Sequence, residues 1–372
     1  MGAAPSADHL SPITPRRFTC AGGEVTLGRM VRDDSPQRLR HGVFLVGEAL
    51  ALGVSRDRLR CNDFQRVGRG LYAWSRTQIS EYLLAAALCR QYPGAVVSHD
   101  SAGRLWGMPM EHSRDAWRPG MPIHLMAPPG RRMRSTELIT WHYGGLDDDD
   151  VVHVDGTRGY GGWVPNDEKH RYILRVTSRS RTWFDLTRSL PLDWAVAQAD
   201  HLLRIPREQF ERRTRPYATR ESLEHLLRRC RGRAGAKRGR KILSFARVGA
   251  DSPAETRCRL AFRFGRLPEP ELNARHLADD GSVVAQTDFT FRKFGVVVEY
   301  DGAVHFEGDA AQRGQRRTIR LRGLGLIDLH LFRDDLPRPI PGESDESVMR
   351  RLATCPAVTV VAEELRRQGW RR

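Results

Sequence analysis

The sequence predicts an α/β chain of several domains, in an α+β multidomain arrangement, and three observations support this. The chain has 372 residues, enough for two or three domains with a sizeable core. Sequence patterns typical of helices and of a β-hairpin occur near residue 60, and short strand-like runs alternate with loops between residues 94 and 190. Near residue 290 a second hairpin pattern carries acidic residues. We expect a tail (1–36), an N-terminal domain (37–76), a middle domain (77–227), a basic linker (228–245) and a C-terminal domain (246–372).

The composition excludes several classes of protein. Apolar residues make up 40% and charged residues 28%, which excludes a wholly disordered or fibrous chain. The longest uncharged apolar stretches, such as Tyr82–Cys89, are too short to cross a bilayer. Residues Met1–Asp8 have neither a basic start nor an apolar run, so we expect no signal peptide, no membrane partner and a cytoplasmic location. The six cysteines form no C-x-x-C pair, which favours reduced thiols.

The net charge points to a polyanionic partner. The chain carries 61 Lys and Arg against 45 Asp and Glu, giving +16. Only four of these basic residues are lysines, and a codon bias would explain that preference but not the excess over acids. The charge therefore favours nucleic acid as the first expected partner and an anionic membrane surface as the second.

The first 36 residues lack apolar periodicity, and ordered patterns begin after them. Val46–Leu52 is predicted to be a short helix, and Ser55 is predicted to cap a second one. Phe64–Trp74 is predicted to form two strands about a glycine turn. Helix, turn, helix and hairpin together predict an N-terminal winged helix-turn-helix, whose second helix enters the major groove while the hairpin contacts the backbone. The candidate DNA-binding residues are Arg56, Arg58, Arg60, Arg66 and Arg69.

The middle region predicts a mixed α/β domain. Its expected elements are a helix at Thr77–Gln91, strands near Ala95–Val97, Ile123–Met126 and Ile139–His142, and a helix at Thr182–Leu203. The acidic run Asp147–Asp150 lacks regular ligand spacing, which favours a solvated turn over a metal site. Gly156–Asp167 is expected to be an extended loop. On charge alone, residues 228–245 suit a nucleic-acid-binding linker and a solvated hinge equally.

The most specific chemical pattern is the predicted hairpin Thr287–Gly302. A turn at or around Lys293-Phe294 pairs residues whose numbers add to 587, so Asp288 faces Glu299 and strand alternation puts Asp301 on the face of Glu299. Carboxylates facing each other across a strand pair repel, and a divalent cation would relieve that repulsion. Mg²⁺ (or Mn²⁺) suits this oxygen donor set.

Such a metal would allow phosphodiester chemistry. It can activate water and neutralise the charge that develops on the phosphate. His305, four residues beyond Asp301, is a candidate proton donor or base, and a structural histidine is the alternative for it. An ordinary amphipathic hairpin with solvated acids also remains open.

The C-terminal third resembles the PD-(D/E)XK nucleases and, more narrowly, the very-short-patch-repair-like endonuclease domains. The matching residues are Asp288, the segment Glu299-x-Asp301-Gly302-x-x-His305, the helix Arg313–Leu321, the strand Ile327–Phe332 and an opening helix that begins Ser252-Pro253-Ala254-Glu255. The resemblance implies a restriction-endonuclease-like fold, catalytic roles for Asp288, Glu299 and Asp301, a metal held by Asp288, Glu299 and Glu255, and phosphate contacts from Arg316 and Arg317.

One departure from that family pattern bears on catalysis, and one matching residue has a second explanation. Asp301 stands where the family's lysine is expected, and Lys293 at the hairpin tip is poorly placed to replace it. Arg316, Arg317 or Arg320 could supply the missing positive charge. Ser252-x-x-Glu255 with Pro253 also fits a helix capping box, so a cap and a metal ligand are both open for Glu255.

The first two thirds resemble the AbiEi-like antitoxins. The resemblance is carried by Gly42-Val43-Phe44, Gly53–Arg56, Arg66–Ala73, Val97–Ala102 and Val176–Leu186. It implies a winged helix that binds operator DNA and a remainder that neutralises a cognate toxin protein. Two functions therefore stay open: a metal-dependent endonuclease, and an autoregulating antitoxin-like repressor whose nuclease fold is not catalytic. A homodimer is left open as well.

Overall fold

The computed structural model describes residues 39–154, 172–207, 211, 213–278, 280–301 and 317–371. All of them belong to one unit that spans Pro36–Arg372. Among them the strands form three sheets, flanked by helices, so the expected mixed α/β class is confirmed. The predicted tail at 1–36, the loop Gly156–Asp167, His305 and Arg316 lie outside the described residues. None of the helices in the described part combines the length and apolar composition that crossing a bilayer requires.

The N-terminal part is a three-stranded antiparallel sheet with a small core of its own. Its elements are β1 (Val43–Leu45), α1 (Val46–Ala51), β2 (Phe64–Gly68) and β3 (Leu71–Trp74), in the sheet order β1-β3-β2. The predicted first helix and hairpin are confirmed, and Gly70 makes the turn with a φ of +73°. The core residues are Leu39, Phe44, Ala49, Val54, Leu59 and Phe64.

The predicted second helix is wrong in length, because the structure has only a 3₁₀ turn at Arg58–Arg60. Ser55 does accept a hydrogen bond from the backbone N–H of Arg58, at 3.1 Å, as a cap would. Leu59 is the single apolar residue that this turn buries before β2 begins at Phe64, so the segment lacks the second buried turn that a longer helix needs.

The middle part is a five-stranded sheet with helices packed on it. The strands are β4 (Val96–Val97), β5 (Ile123–Met126), β6 (Ile139–His142), β7 (Val151–Val154) and β8 (Leu174–Thr177), in the order β6-β5-β4-β8-β7. The helices are α2 (Glu81–Gln91), α3 (His99–Leu105), α4 (Arg179–Leu186) and α5 (Leu192–Leu203). The helix predicted at Thr182–Leu203 is divided in two, because Pro191 is the N-cap of α5 and cannot continue α4.

Two polar stretches of this region are more ordered than their composition suggests. The solvated turn predicted for the acidic run is wrong for Asp150, which is buried and bonds to Arg181 at 3.0 Å. Within residues 228–245 lies α7 (Ala236–Phe245), which follows α6 (Arg220–Arg229). Ala236, Ile242 and Leu243 give α7 a buried face among its basic residues.

The C-terminal part is a four-stranded sheet covered by helices. Its elements are α8 (Pro253–Phe264), β9 (Glu271–Leu277), β10 (Val283–Phe291), β11 (Val296–Tyr300), the helical residues 317–323 (α9), β12 (Ile327–Leu331), α10 (Asp345–Ala353) and α11 (Pro356–Arg367). The sheet order is β12-β11-β10-β9, and β11 with β12 is its parallel pair. The predicted hairpin register is confirmed: Phe291 pairs with Val296 and Phe289 with Val298.

Buried ion pairs join the middle and C-terminal parts through α5 and α8. Arg259 lies 2.7 Å from Asp200, and both side chains are almost fully buried. Arg257 lies 2.7 Å from Asp193 on the same pair of helices. The main hydrophobic core is continuous from Val43 to Leu365. A wall of the site described next therefore comes from the middle part.

Candidate active site

Four polar residues form a row across the C-terminal sheet. The confirmed hairpin register places Glu299 of β11 opposite Asp288 of β10. On the other side of β10, the paired residues Leu272–Phe289 and Ala274–Thr287 place Asn273 opposite Asp288. The parallel pairing of β11 with β12 places His330 beside Glu299. Asp288 is thus central in a row that runs Asn273, Asp288, Glu299, His330.

Three carboxylates of this region line one cavity of about 630 Å³. Asp288 and Glu299 come from the sheet, and Glu255 comes from the first turn of α8. Glu255 and Glu299 are 8% and 6% exposed, which is unusual for glutamates without a full set of partners. Trp194 of α5 lines the same cavity, so the middle part contributes to it.

The pKa of each of the three carboxyl groups is raised. Burial, followed by the charge of Asp288, raises the pKa of Glu299 to about 8 and that of Glu255 to about 7. Burial also raises the pKa of Asp288, although its carboxylate accepts a hydrogen bond of 2.9 Å from the backbone N–H of Tyr300. A bound cation would favour the ionised form of all three groups.

Arg317 supplies a positive charge at this site. Its guanidinium lies 2.5 Å from Oε1 of Glu299 and also donates to the backbone carbonyl of Gln286. Arg317 is the first described residue of α9. The ion pair neutralises Glu299 only in part, because burial and Asp288 still hold the pKa of Glu299 at about 8.

Glu255 takes part in the local cap and also lines the cavity. Its backbone N–H donates to Oγ of Ser252 at 3.1 Å, and its Oε2 accepts from the backbone N–H of Asp251 at 2.8 Å. The Ser252 half of the predicted capping box is therefore confirmed, with Pro253 in the first turn, whereas the reciprocal bond of Glu255 goes to Asp251 and not to Ser252. The hydrogen bond from Asp251 uses Oε2 of Glu255, and the same carboxyl group lines the cavity. The expected role of Glu255 as a metal ligand is therefore compatible with its role at the helix N-terminus.

The fit to a metal is partial. Carboxylate oxygens are the donors that Mg²⁺ prefers, and one or two of them suffice when water and phosphate complete the shell. Among the described residues, however, no three His, Cys, Asp or Glu side chains already form a metal-binding group. Asp288 and Glu299 are the pair best placed to hold a cation, with Glu255 as the third candidate.

Asp301 is not among the residues that line the carboxylate cavity, and it binds His330 instead. Oδ2 of Asp301 lies 2.7 Å from Nδ1 of His330, and Oδ2 of Asp328 lies 3.1 Å from Nε2. The hydrogen bond to Asp328 and then that to Asp301 raise the pKa of His330 to about 9. His330 is thus held as an imidazolium between Asp301 and Asp328. Sequence reasoning missed His330, because only the parallel strand pairing brings it to Glu299.

The predicted DNA-contacting arginines differ in their solvent exposure and in their acidic partners. Arg56, Arg60, Arg66 and Arg69 are exposed or half-buried. Arg60 nevertheless lies 3.1 Å from Asp57. Arg58 pairs with Asp63 and lies over the ring of Phe64. The hairpin arginines therefore offer more accessible charge than Arg58 does.

A histidine cluster in the middle sheet was not predicted. The rings of His99 and His142 stack with centroids 3.4 Å apart, and Nδ1 of His124 lies 3.0 Å from Nε2 of His142. Burial, and then the neighbouring imidazoles, lower the pKa of His99 to about 2 and that of His142 to about 4. The three residues come from α3, β5 and β6, so no local spacing reveals them.

Fold and site together define a mixed α/β protein with a buried acidic pocket. Two uncharacterized proteins from two strains of Mycobacterium tuberculosis are each 28% identical to it over 178 residues, which is 48% of this chain and 61% of theirs. The match thus spans about three fifths of the length of these curated relatives. No family model matches the chain. No solved structure matches it either.

Proposed function

We propose that the chain is a DNA-binding protein whose C-terminal part cleaves phosphodiester bonds with Mg²⁺ or Mn²⁺. The observation that carries the proposal is the convergence of Glu255, Asp288 and Glu299 in one cavity, with the pKa of all three raised. Perturbed carboxyl groups in a cleft are typical of sites that bind cations or move protons. The order of opening helix, hairpin, helix and strand also agrees with the nuclease resemblance.

Each residue has an expected role. Asp288 and Glu299 would hold the cation, with Glu255 beside them, and Arg317 would contact the phosphate. When bound, the metal would activate water and neutralise charge on the phosphodiester. His330, protonated at neutral pH between Asp328 and Asp301, would balance the charge of these two carboxylates beside Glu299. The N-terminal arginines and the overall charge of +16 would bind DNA. The protein would act in the cytoplasm, as part of a defence or toxin–antitoxin system.

Supercoiled-plasmid nicking tests the proposal. Purified protein is expected to nick plasmid in Mg²⁺ or Mn²⁺ but not in EDTA. Asp288→Asn should abolish nicking and keep DNA affinity, because it removes a charge without changing shape. Asp280→Asn is the matched control, since Asp280 lies in the exposed turn between β9 and β10. Nicking by Asp288→Asn at the wild-type rate would contradict the proposed chemistry.

A specific observation favours the second candidate, an antitoxin-like autoregulator with a non-catalytic C-terminal fold. The described residues contain no preformed group of three metal ligands, and Arg317 already pairs with Glu299. This candidate predicts intact plasmid together with a footprint on a discrete operator that survives EDTA. A cognate toxin or a second copy of the chain would then be the partner to seek by co-purification and sedimentation.

A further inference from the structure

A second cavity adjoins the carboxylate cavity and has a different character. Its volume is about 480 Å³, and its polar lining consists of Arg204, Arg207, Asp251, Asn273, Arg275 and Gln286. Three arginines therefore face one aspartate. The two cavities share a wall, since Asp251 donates its backbone N–H to Glu255 and Nδ2 of Asn273 lies 3.5 Å from the same carboxylate.

The arginines of this second cavity are only partly neutralised. Asp251 accepts from Arg204 at 3.2 Å and also from Arg207, and Glu211 takes a further bond from Arg204. Arg275 is exposed and has no acidic partner among the described residues. Arg275 also pairs across the ladder with Gln286, whose amide faces the same space. The cavity thus offers a positive charge with neutral hydrogen-bonding groups beside it.

Asn273 organises the lining of the second cavity. Its Oδ1 accepts from Arg207 at 2.9 Å, its Nδ2 donates to the carbonyl of Gly249, and its own carbonyl accepts from Gln286 at 3.1 Å. Its φ of +49° lies in the left-handed region, in the middle of a strand. Such a conformation is strained and persists only where its surroundings fix it.

We propose that this second cavity binds a backbone phosphate of DNA next to the phosphodiester held at the carboxylates. Gln286 and Asp288 are two residues apart on β10, so the two sites are separated by about 7 Å. Arg275 would contact the phosphate from β9, and Arg207, held by Asn273, would contact it from the opposite wall. That the phosphate belongs to DNA rests on the proposed function, whereas the anion-binding site itself rests on the residues that line the second cavity.

Salt-dependent binding of a fluorescein-labelled DNA duplex tests this phosphate site. Binding is measured by anisotropy in EDTA, where no metal-dependent cleavage occurs, over a range of KCl concentrations. Each phosphate contact contributes about 0.9 to the slope of log K against log salt. Arg275→Ala should lower the slope by about that amount, and Arg275→Lys should restore most of it. Val248→Trp should lower it too, by filling the cavity without changing charge.

Arg350→Ala is the control, because Arg350 is exposed on α10 and lies outside the lining. It should leave the slope unchanged. The inference is overturned if Arg275→Ala keeps the wild-type slope, if Arg350→Ala loses as much, or if the wild-type protein does not bind the duplex. Failure of the plasmid assay with a preserved Arg275 effect would reject the cleavage proposal alone.

Discussion

Asn273 lies directly opposite Asp288 in the β9–β10 ladder, and it has a left-handed φ of +49°. The pairs on both sides, Leu272–Phe289 and Ala274–Thr287, keep regular register. The irregularity is therefore confined to the residue that faces the central carboxylate. The side chain of Asn273 links the two cavities, because its Nδ2 lies 3.5 Å from the carboxylate of Glu255 and its Oδ1 accepts a hydrogen bond from Arg207.

Substitutions at Asn273 should separate backbone strain from function. Asn273→Gly is expected to change the free energy of unfolding by less than about 1 kcal/mol, since relief of strain offsets the lost hydrogen bonds. Asn273→Val should cost more than about 2 kcal/mol, because a β-branched residue is an outlier at this φ. Urea unfolding measures both. The Gly variant should also lower the salt slope of DNA binding, an effect that a purely structural role would not produce.

The carboxylate cavity should respond to divalent cations as a site of like charges. Mg²⁺ is expected to raise the Tm of the wild-type protein, because it binds the folded state and favours the ionised form of Asp288, Glu299 and Glu255 there. Glu299→Gln should abolish the increment from Mg²⁺, because it removes one of the two carboxylates best placed to hold the cation. Thermal unfolding with and without EDTA measures this, with Glu363→Gln on exposed α11 as control. An equal Mg²⁺ response in wild type and Glu299→Gln would argue against a cation at this site.

The N-terminal arginines should contribute unequally to DNA binding. Arg69 lies at the hairpin turn, so Arg69→Ala should weaken binding to all sequences alike and reduce the salt slope by about 1. Arg58→Ala should leave the slope nearly unchanged, because Asp63 already neutralises Arg58. Anisotropy on an operator-containing and a scrambled duplex distinguishes the two effects. A loss of preference for the operator over the scrambled duplex in Arg58→Ala would support the major-groove role predicted for the second helix.

The histidine cluster should make stability depend on pH in a defined window. The pKa of His142 is lowered to about 4 in the fold, from its ordinary value of 6.5. Between these values the unfolded chain binds a proton that the folded chain does not, so the free energy of unfolding rises with pH and levels off above 6.5. The nearby Arg181 and Arg188 oppose protonation of His99 as well, while Asp100 favours that of His142.

Replacing one ring should therefore flatten this pH dependence. His142→Gln is expected to lose less stability than wild type when the pH falls from 7 to 5, and urea unfolding at both values measures the difference. His153→Gln, at an exposed position of β7, is the control and should follow wild type. Identical pH profiles for wild type and His142→Gln would show that the cluster opens and titrates freely in the folded protein.

The predictions from sequence succeed where structure is local. The register of the β10–β11 hairpin follows from a tight turn and strand alternation, and it brought Asp288 and Glu299 face to face correctly. The N-terminal hairpin and the cap at Ser252 are local in the same sense. Errors arise where a local signal competes with packing. The second helix is cut short at Arg58–Arg60 for want of apolar anchors, and the basic stretch around Lys237 hides the buried face of α7.

By itself, the sequence determined the α/β class, the basic charge and the facing pair Asp288 and Glu299. Only the tertiary structure placed His330 beside Glu299, Asn273 opposite Asp288 and Arg275 in the second cavity. The reason is physical. The tight turn sets the register of the β10–β11 hairpin, whereas the parallel pairing of β11 with β12 depends on tertiary packing. The β9–β10 pairing is also a hairpin, but the bulge between Val283 and Ala285 shifts its register, which strand alternation alone does not reveal.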